Sequence, residues 1–222
     1  MATTQEKWEE LHSLPRHRTQ YPNEYAARFL FGNYSRDLTE RKQIKILDLG
    51  CGAGRHTRMF AEQGFDAYAI DLSREGIRYT TEMLESCKLS ADIRQGDMTQ
   101  LPYDDEFFDG VLSFGVFYYI SGEGVKQAIA EMFRVLKPGG TAMIIMRTDN
   151  DYRFGKGEEV SRNSFLLKTE ETREAGMVVH FMTEQDVKDE FAAFSSISFE
   201  KEEFTAENRA ILNSDWIITV KK

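Results

Sequence analysis

The sequence predicts an α/β fold, a doubly wound sheet of seven strands, mostly parallel and covered by helices on both faces. Three observations carry the prediction. From residue 44 onward, short apolar segments alternate with segments of helical periodicity. The first apolar segment runs into a glycine-rich turn that opens a helix, the arrangement of a nucleotide-binding βα unit. The chain has 222 residues and is 41% hydrophobic, enough to bury the core of a single domain over 1–222.

Before residue 44, Trp8, Leu11, Leu14, Tyr21, Tyr25, Phe29 and Leu30 are spaced as on short amphipathic helices, which Pro15 and Pro22 divide. Residues 44–49 read as the first strand, 50–54 as a loop, and 55–63 as a helix that Gly64 ends. The second strand, 66–70, stops at Asp71, and Ser73 caps a helix running to about residue 87, with Gly76 as an interior blemish. Strands follow at 91–94 and 108–114, the latter after the polar turn Asp104-Asp105-Glu106. Val125, Ile129, Met132, Phe133 and Leu136 give helical spacing over 123–136, which Pro138-Gly139-Gly140 is expected to stop before a fifth strand at 141–146. Over 148–180 the pattern is lost, apart from strand-like pieces at 164–168 and 177–181 that suit a hairpin. Thr183 and Asp186 resemble a capping box for a helix to about 194. Strands at 197–204 and 215–220 complete the seven.

Composition narrows the function classes. A net charge of −9 opposes a broad basic surface, so no DNA partner is expected. No apolar run reaches the ~18 to 20 residues that span a bilayer, so no membrane association is expected. Cys51 and Cys87 make no disulfide framework, and no ligand-spaced cluster suggests a metal. The first ten residues lack the basic-then-apolar pattern of a secretory signal, and a cytoplasmic location is expected. Monomer and homodimer are equally compatible with the sequence.

The glycine loop is the most informative segment. Free N–H groups at a helix start, approached through glycines, suit a nucleotide-like ligand. A dinucleotide fingerprint needs glycine at the first, third and sixth positions. Counted from Gly50, the third is Gly52 but the sixth is the bulky Arg55. The lysine of a phosphate-binding P-loop is also absent. Asp48 precedes the loop, and an anion there repels a diphosphate and attracts an ammonium or sulfonium.

Asp48-Leu49-Gly50-Cys51-Gly52-Ala53-Gly54 resembles the first motif of the class I S-adenosylmethionine-dependent methyltransferases. Later segments match that family in order: Ala69-Ile70-Asp71-Leu72-Ser73, Gly96-Asp97-Met98, Phe108-Asp109-Gly110-Val111-Leu112-Ser113 and Leu136-Lys137-Pro138-Gly139-Gly140. The resemblance covers about 45–146. It implies a Rossmann-like sheet whose last strand is antiparallel, S-adenosyl-L-methionine as cofactor and S-adenosyl-L-homocysteine as product. It further implies a cofactor site of Asp48, Gly50, Gly52, Gly54, Asp71, Leu72, Asp97, Met98 and Ser113. Asp71 is expected on the ribose hydroxyls, Asp97 on the adenine amino group and Met98 against the ring. The N-terminal helices, 1–42, are expected to form a lid, with Tyr21 either a lid contact or a packing residue.

The resemblance also implies methyl transfer by in-line displacement to an acceptor over the ends of the fourth and fifth strands. Tyr118, Tyr119, Arg147, Asp149, Tyr152 and Arg153 fall near that edge, and the insertion at 148–180 is expected to cover it. His180 is the candidate general base, with a strand histidine paired to a neighbour as the alternative. Ser113-Phe114-Gly115-Val116 lacks the prolines of enzymes that methylate exocyclic base amines. A small-molecule acceptor is the leading expectation; a protein or RNA acceptor, or a non-catalytic cofactor-binding protein, is the alternative.

Overall fold

β1 (Lys45–Leu49) has four buried residues in succession, as a strand must when both faces of its sheet are covered. It lies inside the sheet, with a strand on either side, in the computed structural model, which describes residues 4–168, 172, 174 and 176–222. Residues 1–3, 169–171, 173 and 175 of the expected lid and insertion lie outside the described residues. β1 pairs in parallel with β2 (Asp66–Asp71) on one side and β4 (Phe108–Ser113) on the other, and β3 (Asp92–Gln95) pairs in parallel with β2. Beyond β4 come β5 (Leu136–Thr148), then β10 (Ile211–Lys221) antiparallel to it, then β9 (Ser196–Ala206) antiparallel to β10.

These seven strands are the predicted sheet, and its last strand in sequence is the antiparallel one. Three further strands lie outside it. β6 (Glu158–Ser161), β7 (Ser164–Leu166) and β8 (Val178–Met182) form an antiparallel ribbon, so the hairpin expected at 164–181 is present with an added strand. β5 outruns β4: Ser113 pairs with Ile144, and Arg147 and Thr148 then pair with Phe181 and Met182 of β8. The ribbon therefore continues the sheet past the end of β4.

The helices follow from caps and breakers. α1 (Thr4–Ser13) is separated by a 3-10 turn at Pro15–His17 from α2 (Glu24–Asn33), whose first turn Asn23 caps by accepting from the Tyr25 N–H. A short α3 (Leu38–Arg41) leads into β1. α4 (Arg55–Glu62) follows β1, and α5 (Arg74–Ser86) follows β2 with Ser73 as its N-cap, as expected. α6 (Gly122–Val135) differs from expectation at its end. Leu136 is already extended, so Pro138-Gly139-Gly140 makes the irregular start of β5 rather than stopping the helix. α7 (Glu184–Glu190) carries the complete capping box of Thr183 and Asp186, but stops short of residue 194.

A buried polar cluster ties the insertion to β10. Arg147 donates to both carboxylate oxygens of Asp215 at 2.7 and 2.8 Å, and Arg153 to both of Asp151 at 2.9 and 3.1 Å. Asp151 also accepts from the Ser214 N–H, and Arg153 pairs with Glu174. Burial raises the Asp215 carboxyl to about 6, against the opposing charge of Arg147. Among the described residues no helix is long and apolar enough to cross a membrane.

Candidate functional site

The glycine loop is tied down by its neighbours. The N–H groups of Gly50 and Cys51 both donate to the Ile70 carbonyl of β2, at 2.8 and 3.0 Å. Gly50 has φ +79°, and a Cβ there would stand 2.5 Å from the Val116 side chain, so position 50 admits only glycine. Gly54 precedes α4 in the left-handed region and offers no capping side chain. Asp48 supplies the cap from beneath. Its Oδ2 accepts from the Thr57 N–H at 2.9 Å and the Thr57 hydroxyl at 2.6 Å. Burial raises this carboxyl to about 6, while the bonds from Thr57 pull it down.

Above the loop is a cavity of about 310 Å³. Its floor is Gly50, Cys51, Gly52 and Ala53. The strand order puts Asp71 and Leu72 of β2, with Gly96, Asp97 and Met98 after β3, at one end. Phe114, Gly115 and Val116 after β4 lie at the other, beside Arg55 and His56. Such crevices at the carboxyl ends of parallel strands are where α/β sheets bind ligands.

Asp71 is the organising acid of the first end. One carboxylate oxygen accepts from the Gly52 N–H and the other from the Ser73 N–H, each at 2.8 Å. Each oxygen keeps a further lone pair, which leaves Asp71 able to accept two hydroxyls at once. Burial raises its pKa, against the charge of His12 and those two bonds. Asp97 is fixed by accepting from the N–H and hydroxyl of Thr99, both at 2.8 Å.

The roof comes from the N-terminal segment: Trp8, His12, His17 and Thr19 line the cavity. Glu9 secures it by accepting from the Ser73 hydroxyl and the N–H groups of Arg74 and Glu75, at 2.8 to 2.9 Å. An acid of α1 thus caps the first turn of α5. Beside it the His12 ring lies between two glycines. A Cβ on Gly76 would stand 2.9 Å from His12 Nδ1, and one on Gly52 would stand 3.4 Å from Nε2. The interior glycine of α5 is the slot for that ring. Trp8 meets Tyr119 edge to face at 5.0 Å.

At the other end, His56 is buried and its Nε2 accepts from the Asn23 N–H at 3.2 Å. Burial and the adjacent Arg55 hold its pKa down at about 3, so the ring is neutral and anchors the start of α2. Arg55 stacks on Phe114, with 5.3 Å from guanidinium to ring centre.

Several expected site residues are placed elsewhere. Tyr21 is 82% exposed and off the cavity, and the roof over the loop is built by Trp8 and His12. Asp48 and Gly54 support the loop from below, and Ser113 donates to the Leu49 carbonyl at 2.9 Å, clamping β4 to β1. His180 does not reach the cavity. Its Nδ1 is 2.8 Å from the Ser164 hydroxyl across the β7–β8 pair, and burial lowers its pKa to about 4. It is the strand histidine paired with a neighbour. Of the residues placed near the acceptor edge, Tyr119 lines the cavity, while Arg147 and Arg153 are consumed by the buried cluster. Gly50, Gly52, Asp71, Leu72, Asp97 and Met98 converge on one cavity. Trp8, Glu9 and His12 were missed. Trp8 and His12 stand at i and i+4, one face of a helix, which identifies a packed face but not what it covers.

The sheet order and its crevice define a Rossmann-like fold, and the comparisons narrow the class. Residues 46–140 match the family model described as a methyltransferase domain. A ubiquinone biosynthesis O-methyltransferase of Rickettsia typhi is 33% identical over 115 residues, 51% of this chain and 46% of the relative. The chain thus spans about half the length of that curated relative. A SAM-dependent methyltransferase structure from Methanosarcina mazei superimposes with a TM-score of 0.71 at 23% identity, over 87% of this chain and 96% of that one. The 1,6-didemethyltoxoflavin-N1-methyltransferase of Burkholderia thailandensis, solved with its acceptor and S-adenosylhomocysteine, gives 0.63 at 17% identity, over 89% of this chain and 76% of that one. Residues 46–140 thus resemble a methyltransferase domain, in a chain whose fold is that of the S-adenosylmethionine-dependent methyltransferases it superimposes on.

Proposed function

We propose that the protein methylates a small-molecule acceptor, using S-adenosyl-L-methionine held in the cavity above the glycine loop. The observation that carries this reading is the convergence of Gly50, Gly52, Asp71, Asp97 and Met98 from three strand ends on one cavity. The donor set fits the cofactor: Asp71 has free lone pairs for a ribose diol, Asp97 on the cavity wall can accept from an amino group, and Met98 offers a thioether to an aromatic ring. When bound, the cofactor supplies an electrophilic methyl group on a sulfonium. The chain's own work is to orient and to exclude water. Trp8 and His12 close the top, and the ribbon β6–β8 extends the sheet over the strand ends. A small acceptor suits the cavity's size and the net charge of −9, and the two relatives named for ubiquinone biosynthesis and toxoflavin N1-methylation act in small-molecule chemistry. Free thiols at Cys51 and Cys87 suit the cytoplasm.

Titration calorimetry is the test. S-adenosylhomocysteine should bind one-to-one while NAD gives no heat, and release of S-adenosylhomocysteine should follow addition of a suitable acceptor. Tight NAD binding with none for S-adenosylhomocysteine would overturn the reading.

A further inference from the structure

We propose that the acceptor is a small aromatic oxyanion and that Arg55 receives its charge. The inference rests on the methyl-transfer reading and specifies its substrate. Arg55 is the first residue of α4 and stands in the cavity wall at the end beyond β4. A guanidinium has five N–H donors in a fork that matches a carboxylate or phenolate. Here one of them makes a long 3.5 Å bond to the Tyr21 carbonyl, and among the described residues no carboxylate lies within ion-pair distance. Arg41, buried without a carboxylate among the described residues, is satisfied by three bonds to the Ser35 and Gln63 carbonyls and the Gln63 amide oxygen, and three more arginines withdrawn from solvent hold carboxylates. Arg147 grips Asp215, Arg153 grips Asp151, and Arg134 takes Glu131 and Asp105. Asp48 beneath the loop is the anion that acts on Arg55, but it is committed to Thr57 and beyond ion-pair distance, so the guanidinium's donors facing the cavity are open to a ligand.

The surroundings specify the rest of the ligand. Phe114 carries the guanidinium on its face, His56 meets Phe114 edge to face at 5.4 Å, and Trp8 and Tyr119 add rings to the same cavity. Flat aromatic walls beside one cation select a planar ring bearing negative charge. The cofactor's own carboxylate would have another partner. The N–H groups of Arg55 and His56 open α4 and take no partner among the described residues, an arrangement suited to a carboxylate. Where the ionised oxygen is itself the one methylated, no base is needed, which agrees with a neutral His56 and a distant His180; where the charge is a ring carboxylate and a hydroxyl is methylated, that hydroxyl's proton passes to solvent.

The test is calorimetry on the full chain saturated with S-adenosylhomocysteine. Hydroxybenzoates are compared with the matching hydroxybenzamides, and nitrophenol is titrated above and below its own pKa. The first arm reads a ring carboxylate and the second an ionised hydroxyl. At least one anion should bind about tenfold more tightly than its neutral counterpart. That preference should vanish in R55Q and survive in part in R55K. Both variants should keep the wild-type melting temperature and bind S-adenosylhomocysteine within about threefold of wild type. Equal binding of every anion and its neutral partner, or a tenfold loss of S-adenosylhomocysteine affinity in R55Q, overturns the proposal. The second result would assign Arg55 to the cofactor's carboxylate. Failure of the wild type to bind S-adenosylhomocysteine would strike the methyl-transfer reading instead.

Discussion

The floor and the roof of the cavity are built on different principles. The floor is one continuous stretch of chain, from β1 through the glycine loop into α4, locked by backbone bonds to Ile70 and by two buried acids that cap what lies beside them. The roof is brought from forty residues upstream and held by side-chain contacts, among them Glu9 on α5, His12 in its glycine slot, Trp8 against Tyr119 and Arg18 over the Tyr79 ring. The floor therefore shares the stability of the whole sheet, while the roof can open at a fraction of that free energy.

The sharpest way to break this contrast is to attack the floor. Asp48→Ala leaves the N–H and hydroxyl of Thr57 buried without an acceptor and should destabilise the whole fold by roughly 3 kcal/mol, read as a lower urea midpoint with an unchanged slope. A value under about 0.5 kcal/mol would show that the loop is held without it.

Acid should reach the floor and the ribbon alike, through two buried neutral histidines. His56 and His180 have pKa values lowered to about 3 and about 4. Each binds fewer protons folded than unfolded, so the stability it contributes is complete above the ordinary histidine pKa of about 6.5 and is lost as pH falls through that value toward the lowered one. The loss at pH 5 relative to pH 7.5 is on the order of 2 kcal/mol per histidine. Asp48 and Asp215, whose carboxyls are raised to about 6, bind more protons folded than unfolded and work the other way in this window, so the test is a difference: between pH 7.5 and 5, urea titrations of His180→Gln should show about 2 kcal/mol less loss than wild type, and an equal loss would remove His180 from the account.

Asp71→Ala should weaken S-adenosylhomocysteine binding by roughly 1 to 3 kcal/mol, and it should also lower the melting temperature because Gly52 and Ser73 lose their acceptor. The roof should respond more mildly. Glycine to alanine inside a helix ordinarily gains up to about 1 kcal/mol. At Gly76 the added carbon meets His12 and the Gly52 carbonyl at 2.9 and 3.0 Å, so Gly76→Ala should bring a net loss of about 1 kcal/mol and faster proteolysis before residue 20. A net gain would mean that His12 is not seated there. Tyr21→Ala should shift cofactor affinity by under about 0.5 kcal/mol, since its side chain stands in solvent.

The same contrast explains what could be read in advance. The floor is local: a strand, its glycines and the acid at the next strand's end are fixed distances apart in sequence, so the sheet order and the placement of Gly50, Gly52, Asp71 and Asp97 were legible. The partition of the acids was not. Asp48 and Asp71 both precede glycine-loop or cap positions, and only the three-dimensional path shows that Asp48 turns down to Thr57 while Asp71 faces the cavity. The roof depends on contacts sixty or more residues apart, such as Glu9 with Arg74 and Glu75, for which no periodicity exists. His180 misled for a related reason. Proximity in sequence to the insertion placed it near the acceptor, but side chains alternate along β8 and its own points away toward α6.

The overshoot of β5 beyond β4 fixes the ribbon in place. Because β8 is hydrogen-bonded into that overhang, and Arg147 and Arg153 rivet the adjoining loop to β10, the ribbon cannot swing aside without tearing the sheet's own ladder. The hold on α1 is of another kind, made by side chains. Its Glu9 serves the first N–H groups of α5, directly beside Asp71. The cover of the cavity and the acid on its rim thus share one anchorage, a helix cap borrowed from sixty-five residues upstream.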